Sequence, residues 1–225
     1  MIQIDNLSKS YGPKSVLKQI NFELEPGKVY GIVGENGAGK TTLFKCIAGL
    51  ESCSGNISSP YPILKNQLGF LPTNPFFLPK ITGLEYLQLL CNARNIPLSN
   101  FAEKNIFDLP LSQYAETYST GMKKKLAFTG ILLQKNDFFI LDEPFNGVDI
   151  QSNMLIAAII ERLKVAQKTI LISSHIFSTL NDTCDQIYVL RGGEIAQRVE
   201  KKDFQQLDEE MRQFVLGDKF ESFHF

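Results

Sequence analysis

In the stretch GENGAGKTT (34–42), Gly34, Gly39, Lys40 and Thr41 stand at the spacing G-x-x-x-x-G-K-[ST]. Glycines in such a run let successive backbone N–H groups turn inward around phosphate oxygens. A lysine at its end neutralises the terminal phosphates, and the neighbouring hydroxyl is placed to ligate Mg2+. A helix opening near Lys40 would add the positive end of its dipole. With average residue usage, a chain of this length shows the pattern by accident on the order of once in a hundred. Here it follows the apolar run VYGIV (29–33), a buried-type strand, and leads into a helical pattern, the setting this chemistry requires. A phosphate loop alone leaves kinases, GTPases, motors and transport ATPases open.

The next chemistry-bearing residues lie in FFILDEPFNGVD (138–149), an apolar strand that ends in Asp142 and Glu143. An aspartate at a strand end beside a phosphate loop can hold Mg2+, and a glutamate one residue on can polarise an attacking water. Adjacent residues at a strand end point different ways, so two acids can serve two tasks. TILISSH (169–175) puts His175 just past another apolar strand, where an imidazole can reach a terminal phosphate if the two strands are neighbours. The other histidine, His224, lies in the tail without comparable surroundings. YSTGMKKK (118–125) has a Ser-Thr-Gly triplet able to open a helix, followed by three lysines where the backbone dipole is already positive. An anion is expected near Ser119 and Gly121, whereas Lys123, Lys124 and Lys125 read as a mainly solvated face.

Elements must position these residues. Segments 2–7 and 16–24 alternate apolar and polar residues like half-buried antiparallel strands, with EPG (25–27) as a turn. From about 76 to 135 the pattern becomes helical. TGLEYLQLL carries a capping box with Thr82 and Glu85, and Asn100 with Glu103 repeats the spacing. Strands return at 138–141, 169–173 and in a hairpin at 187–197, with a helix near 150–165 between them. Strands alternating with helices predict an α/β fold, mainly parallel, with an antiparallel β layer. The expected organisation is a single domain over 1–225, with 1–75 and 136–225 as the core and 76–135 as a helical subdomain.

The chain has 225 residues, 44% of them apolar, enough for a sizeable core, and a formal net charge of −1 that gives no global reason to expect a nucleic-acid partner. Cys46, Cys53, Cys91 and Cys184 lack metal-type spacing, which favours a reduced, cytoplasmic protein. No leader pattern is visible at MIQIDNLSK, and no apolar run reaches the ~18 residues of a membrane span. Work at a membrane would need another chain.

Taken in order, SKSYG, GENGAGKTT, LGFLP, YSTGM, LDEP, NGVD and SSH cover essentially the whole sequence, and the set resembles the ATP-binding cassette (ABC) ATPases. The resemblance implies a phosphate-loop fold of ABC type that binds ATP and Mg2+ and hydrolyses ATP. It implies that Tyr11 stacks on adenine and that Gly34, Asn36, Gly37, Ala38, Gly39, Lys40, Thr41 and Thr42 hold the nucleotide. Thr41 and Asp142 would serve the metal, Glu143 would be the general base, and His175 would sense the γ-phosphate. Ser119, Thr120 and Gly121 would form a signature loop that meets ATP bound by a second subunit, with Asp149 communicating between subunits. Two departures stand out. Thr120 and Met122 replace a glycine and the glutamine of the usual LSGGQ, and Thr73 stands where the family has glutamine or glutamate, so that a metal contact there would need a bridging water. The family's partners would be a transmembrane permease, received by a groove near FFLP (76–79), and a second ATPase subunit, identical or different. YSTGMKKKL resembles small exporter-type members. A soluble cassette ATPase without transport and a regulatory ATP-binding module remain alternatives; an NKxD guanine motif, expected of a GTPase, is absent.

Overall fold

The computed structural model describes residues 1–216 other than Leu98 and Ile176; His224 and the end of the 1–225 span lie outside the described residues. In chain order the elements are strands β1 (Ile2–Tyr11), β2 (Lys14–Leu24) and β3 (Val29–Val33), helix α1 (Lys40–Ile47), β4 (Ser54–Ser58), β5 (Leu68–Leu71), α2 (Gly83–Asn92), α3 (Thr120–Leu133), β6 (Phe138–Asp142), α4 (Ile150–Val165), β7 (Thr169–Ser173), α5 (Phe177–Thr183), β8 (Gln186–Arg191), β9 (Glu194–Glu200) and α6 (Phe204–Leu216). One sheet runs β2-β1-β4 and is antiparallel; the other runs β5-β6-β7-β3-β8-β9, parallel except for β9. The expected α/β class with an antiparallel layer is what forms.

Why the central strands read as unbroken apolar runs is visible in their two faces. Successive side chains on a strand point to opposite sides. Val29 and Val33 of β3, Phe139 and Leu141 of β6, and Ile170 and Ile172 of β7 pack with the helices α2 to α6. Tyr30, Ile32, Phe138, Ile140 and Leu171 pack on the opposite side, with α1 and the antiparallel sheet. Both faces are covered, so no polar alternation survives in the sequence. The same alternation carries Asp142, the last residue of β6, to the side of Phe138 and Ile140, which is the α1 side.

The antiparallel sheet is tied to the central one where it matters for the site. Lys18 N donates to Gly193 O at 2.8 Å, and a Cβ on Gly193 would stand 2.5 Å from Val16 O. Only glycine lets the β8–β9 turn approach β2 so closely, and that approach brings Lys14 and Val16 beside the phosphate loop.

Between residues 76 and 135 the described residues contain helices and turns and no named strand. The Thr82 box forms as expected: Thr82 Oγ1 accepts from Glu85 N at 3.2 Å, and Glu85 Oε2 accepts from Thr82 N at 2.8 Å. The similar spacing at Asn100 and Glu103 does not start a helix. Residues 101–104 form turns, and Asn105 bonds both the N–H and the carbonyl of Leu109, at 3.0 and 2.8 Å. A local side-chain bond takes the place of a helical ladder there. Phe77 is buried against Tyr86, with ring centroids 4.7 Å apart, while Phe76 and Leu78 face outward at 79% and 53% exposure. Arg94, just past α2, donates to the carbonyls of Lys65, Asn66 and Leu68 and anchors the helical segment to the β5 edge.

Replacing Thr82 by Ala should lower stability by about 1 kcal/mol through loss of the cap, read as a shift in the urea midpoint; Asn100→Ala, which removes no cap, should leave that midpoint in place.

Candidate functional site

The phosphate loop follows β3 and turns into α1 at Gly39, whose φ of +109° is open to glycine alone. Gly34 is equally constrained, because a Cβ there would lie 2.3 Å from Leu190 O. No side chain caps α1, and its first turn carries no acid. The N–H groups and dipole of that helix end therefore have no side-chain partner at the cap or in the first turn. Lys40 is buried and donates to Gly34 O at 2.7 Å and Glu35 O at 3.1 Å, which curls its ammonium back over the loop. Burial pushes the amine below its ordinary pKa, while Glu143 and Asp142 favour its charged form.

The acids arrive from the sheet. Parallel pairing sets Asp142 opposite Ser173 and Ile32 beside Ser173, so the carboxyl ends of β6, β7 and β3 meet at one level. Asp142 is 1% exposed. Its Oδ2 accepts from Thr41 Oγ1 and from Thr73 Oγ1, both at 2.7 Å, and its Oδ1 accepts from Ser173 Oγ at 2.7 Å. Each threonine oxygen keeps lone pairs free, and two hydroxyls with a carboxylate are oxygen donors of the kind that could hold a hard cation. Thr73, short as it is, bonds Asp142 directly.

Glu143 has φ +55°, a left-handed backbone that a non-glycine residue rarely adopts. That turn swings its carboxylate away from Asp142 and toward His175. His175 N donates to Glu143 Oε2 at 3.1 Å, and His175 Nε2 lies 3.2 Å from Glu143 Oε1 without the alignment of a hydrogen bond. Glu143 Oε1 is thus a buried carboxylate oxygen with open acceptor capacity.

These groups line one cavity of about 400 Å3: Asn36, Gly37, Gly39, Lys40, Thr41 and Thr42 from the loop and α1, Thr73, Asp142, Glu143 and His175 across from them, and Lys14, Val16 and Asn146 at its rim. A neighbouring cavity of about 440 Å3 lies behind the loop, where Gly34, Glu35, Ala38, Val189 and Met211 line it; Asp142 and Glu143 do not line it, and it is the more apolar of the two. Tyr11 lines neither. It sits 44% exposed at the end of β1, paired with the cavity-lining Lys14, and the Lys9 ammonium stands 4.8 Å above its ring.

A family model described as ABC transporter matches residues 17–146, more than half of the chain and the span that holds Lys40, Ser119, Asp142 and Glu143. The chain belongs to the ABC transporter family. The lantibiotic transport ATP-binding protein SrtF of Streptococcus pyogenes is 30% identical, over 97% of this chain and 99% of its own length. The bacitracin transport ATP-binding protein BcrA of Enterococcus faecalis is 29% identical, over 97% of this chain and 75% of its own. A solved ATP binding subunit of an ABC transporter superposes with a TM-score of 0.79 at 28% identity, covering 96% of this chain and 94% of that one. Family and fold together make this chain an ATP-binding ABC subunit.

Other residues of this ABC subunit sit outside the cavity. Ser119 is the N-cap of α3, accepting from Met122 N at 3.2 Å, and Ser119 and Thr120 are exposed. Gly121 lies against the 143–149 loop, where a Cβ would stand 2.6 Å from Gly147 O. Asp149 caps α4, accepting from Ser152 N at 2.9 Å and from the Ser152 hydroxyl at 2.8 Å, and pairs with Lys125 at 3.1 Å. These bonds, the backbone one foremost, hold its carboxyl well below the usual range.

The expectation of a solvated lysine face is corrected for two of the three lysines. Lys124 is 1% exposed and donates to Glu143 O at 2.6 Å and Asn146 O at 2.7 Å. Lys125 bonds Asp149 and Ser152. Their acceptors come from a loop some twenty residues further on, and no local pattern announces that contact. Sequence reading also passed over Ser173, which bonds Asp142 and accepts from Glu143 N at 3.1 Å. The parallel register with Asp142 was its signal, and register is not legible in a lone apolar strand.

Ser173→Ala removes one Asp142 donor and leaves the buried Glu143 N–H unpaired. A loss of about 1–3 kcal/mol is expected in urea unfolding; an unchanged midpoint would mean that the hydroxyl is dispensable.

Proposed function

We propose that this chain is the ATP-hydrolysing subunit of an ABC transporter, in which two ATPase subunits, identical or different, close on ATP and a separate transmembrane permease converts the motion into transport. The observation that carries the reading is the convergence of Lys40, Thr41, Asp142, Glu143 and His175, from α1 and the carboxyl ends of separate strands, on one cavity beside a helix N-terminus.

In this reading the loop N–H groups and Lys40 bind the β- and γ-phosphates, with Thr42 beside them. Thr41 and Asp142 would hold Mg2+, with Thr73 as a further hydroxyl. The bound ion would neutralise charge on the phosphates. Glu143 takes a proton from the attacking water: among the described residues its buried Oε1 accepts no hydrogen bond, so capacity for that proton is in place. His175 orients the Glu143 carboxylate and reaches the γ-phosphate. Tyr11 contributes its ring to adenine, the Lys9 ammonium occupying one face. Ser119, Thr120 and Gly121 meet the γ-phosphate held by the second subunit, with Asp149 near that contact. Their absence from the chain's own cavity supports this division of labour.

The segment 76–135 acts as a helical subdomain on a core of 1–75 and 136–225. The outward-facing Phe76 and Leu78 suit a contact with the permease. No helix among the described residues is long and apolar enough to cross a membrane; the reading places the chain on the cytoplasmic face, held there by that partner.

Steady-state hydrolysis with and without Mg2+ tests the reading. Glu143→Gln should lower kcat by about 100-fold or more while ATP still binds and the closed dimer persists; full multiple turnover would remove Glu143 as the base. Lys40→Ala should weaken ATP binding itself, and an unchanged affinity in nucleotide titration would count against the loop assignment.

A further inference from the structure

Lys124 is a buried ammonium that, among the described residues, touches no carboxylate within hydrogen-bonding distance. Its two acceptors are backbone carbonyls, Glu143 O and Asn146 O. Burying such a group is costly unless its bonds are good. Burial lowers its pKa, and the nearby Glu143 and Asp142 charges oppose that shift. A lysine stem packed into a core with only carbonyls at its tip is a device for holding backbone.

The backbone it holds is that of Glu143. A left-handed glutamate costs about 1–3 kcal/mol and persists only when its surroundings over-determine it. Four bonds do so: Glu143 N to Ser173 Oγ, Asn146 N to Glu143 O at 3.2 Å, and Lys124 Nζ to both the Glu143 and the Asn146 carbonyls. Lys124 bridges the two ends of the 143–146 turn and is not among the residues that line the cavity.

The same helix face carries more. Gly121, Lys124 and Lys125 stand at i, i+3 and i+4 on α3, neighbours on one face. Gly121 abuts Gly147 O, Lys124 bonds 143 and 146, and Lys125 bonds Asp149. Ser119 caps the helix five residues before Lys124, ~7.5 Å along its axis. The helix start and the 143–149 loop are joined by three contacts of different chemistry, all within one chain.

We infer that Lys124 is a positioning residue for the Glu143 carboxylate, and that through it the helix end at Ser119 is linked to the base of the same chain. The inference rests on the ATPase reading above. A contact made at Ser119 by ATP of the second subunit would then reach the first subunit's own hydrolytic turn through α3. Lys124 touches neither water nor phosphate; it acts by fixing where Glu143 points.

The test is Lys124→Met, which keeps an unbranched stem and removes the donors, with Lys124→Gln as the companion if the Met chain does not fold. The expected result is a kcat reduced about tenfold or more, with the ATP dissociation constant and the thermal midpoint near those of the unsubstituted chain. That split between kcat and binding is not the behaviour of a merely structural lysine. Unchanged kcat would overturn the inference. Parallel loss of ATP binding and thermal stability, or failure of both variants to fold, would overturn it as well, leaving Lys124 a structural support. If the unsubstituted chain itself does not hydrolyse ATP, the ATPase reading falls and the inference with it, an outcome visible before any substitution is made.

Discussion

The site depends on one buried carboxylate. Asp142, 1% exposed at the end of β6, accepts a hydroxyl from α1, one from the loop after β5 and one from β7. A carboxylate withdrawn from water this far is tolerable only when its oxygens are bonded. Those three donors come together only if β5, β6, β7 and β3 lie parallel and in register. Sheet order, register and the positions of Thr41, Thr73 and Ser173 are therefore one constraint expressed at several places.

From that point the two faces of the sheet take different tasks. The face shared with α1 and the antiparallel layer receives Asp142, and with it the phosphate loop. The other face receives the helices, including α3, whose buried lysine returns to the sheet edge behind Glu143. The left-handed turn at Glu143 is what lets two adjacent acids serve two directions, Asp142 toward the threonines and Glu143 toward His175. Without it, strand alternation would send the second carboxylate to the helix-covered face.

Features written in contiguous residues were legible before any fold was known. The glycine spacing at 34–42, the apolar strand ending in two acids, the Thr82 capping box and the Ser119 cap each depend on bonds a few residues long. Asn100 and Glu103 carry the letters of a cap but not its sequel: residues 101–104 form turns, and the Asn105 side chain bonds Leu109. Lys124 misled in the other direction: three consecutive lysines look like a solvated face, and only the packing of α3 on the 143–149 loop buries the middle one. The strand β1 also runs further than its alternation suggested, to Tyr11, since pairing with β2 and not periodicity sets its end.

The sequence by itself determined which residues bear the chemistry: a loop whose glycines admit phosphate, a lysine and hydroxyl at its end, two acids after an apolar run, a histidine after another. Backbone conformations open only to glycine and the length of an apolar run are local properties, so composition and spacing are sufficient to express them. Tertiary structure alone decided how those residues meet: Thr73 and Ser173 as direct donors to Asp142, Glu143 turned toward His175, and Lys124 drawn inside to hold that turn. Each of these is a contact between segments thirty or more residues apart or across packed elements, where the partner is chosen by strand register and burial and leaves no mark in the neighbouring sequence.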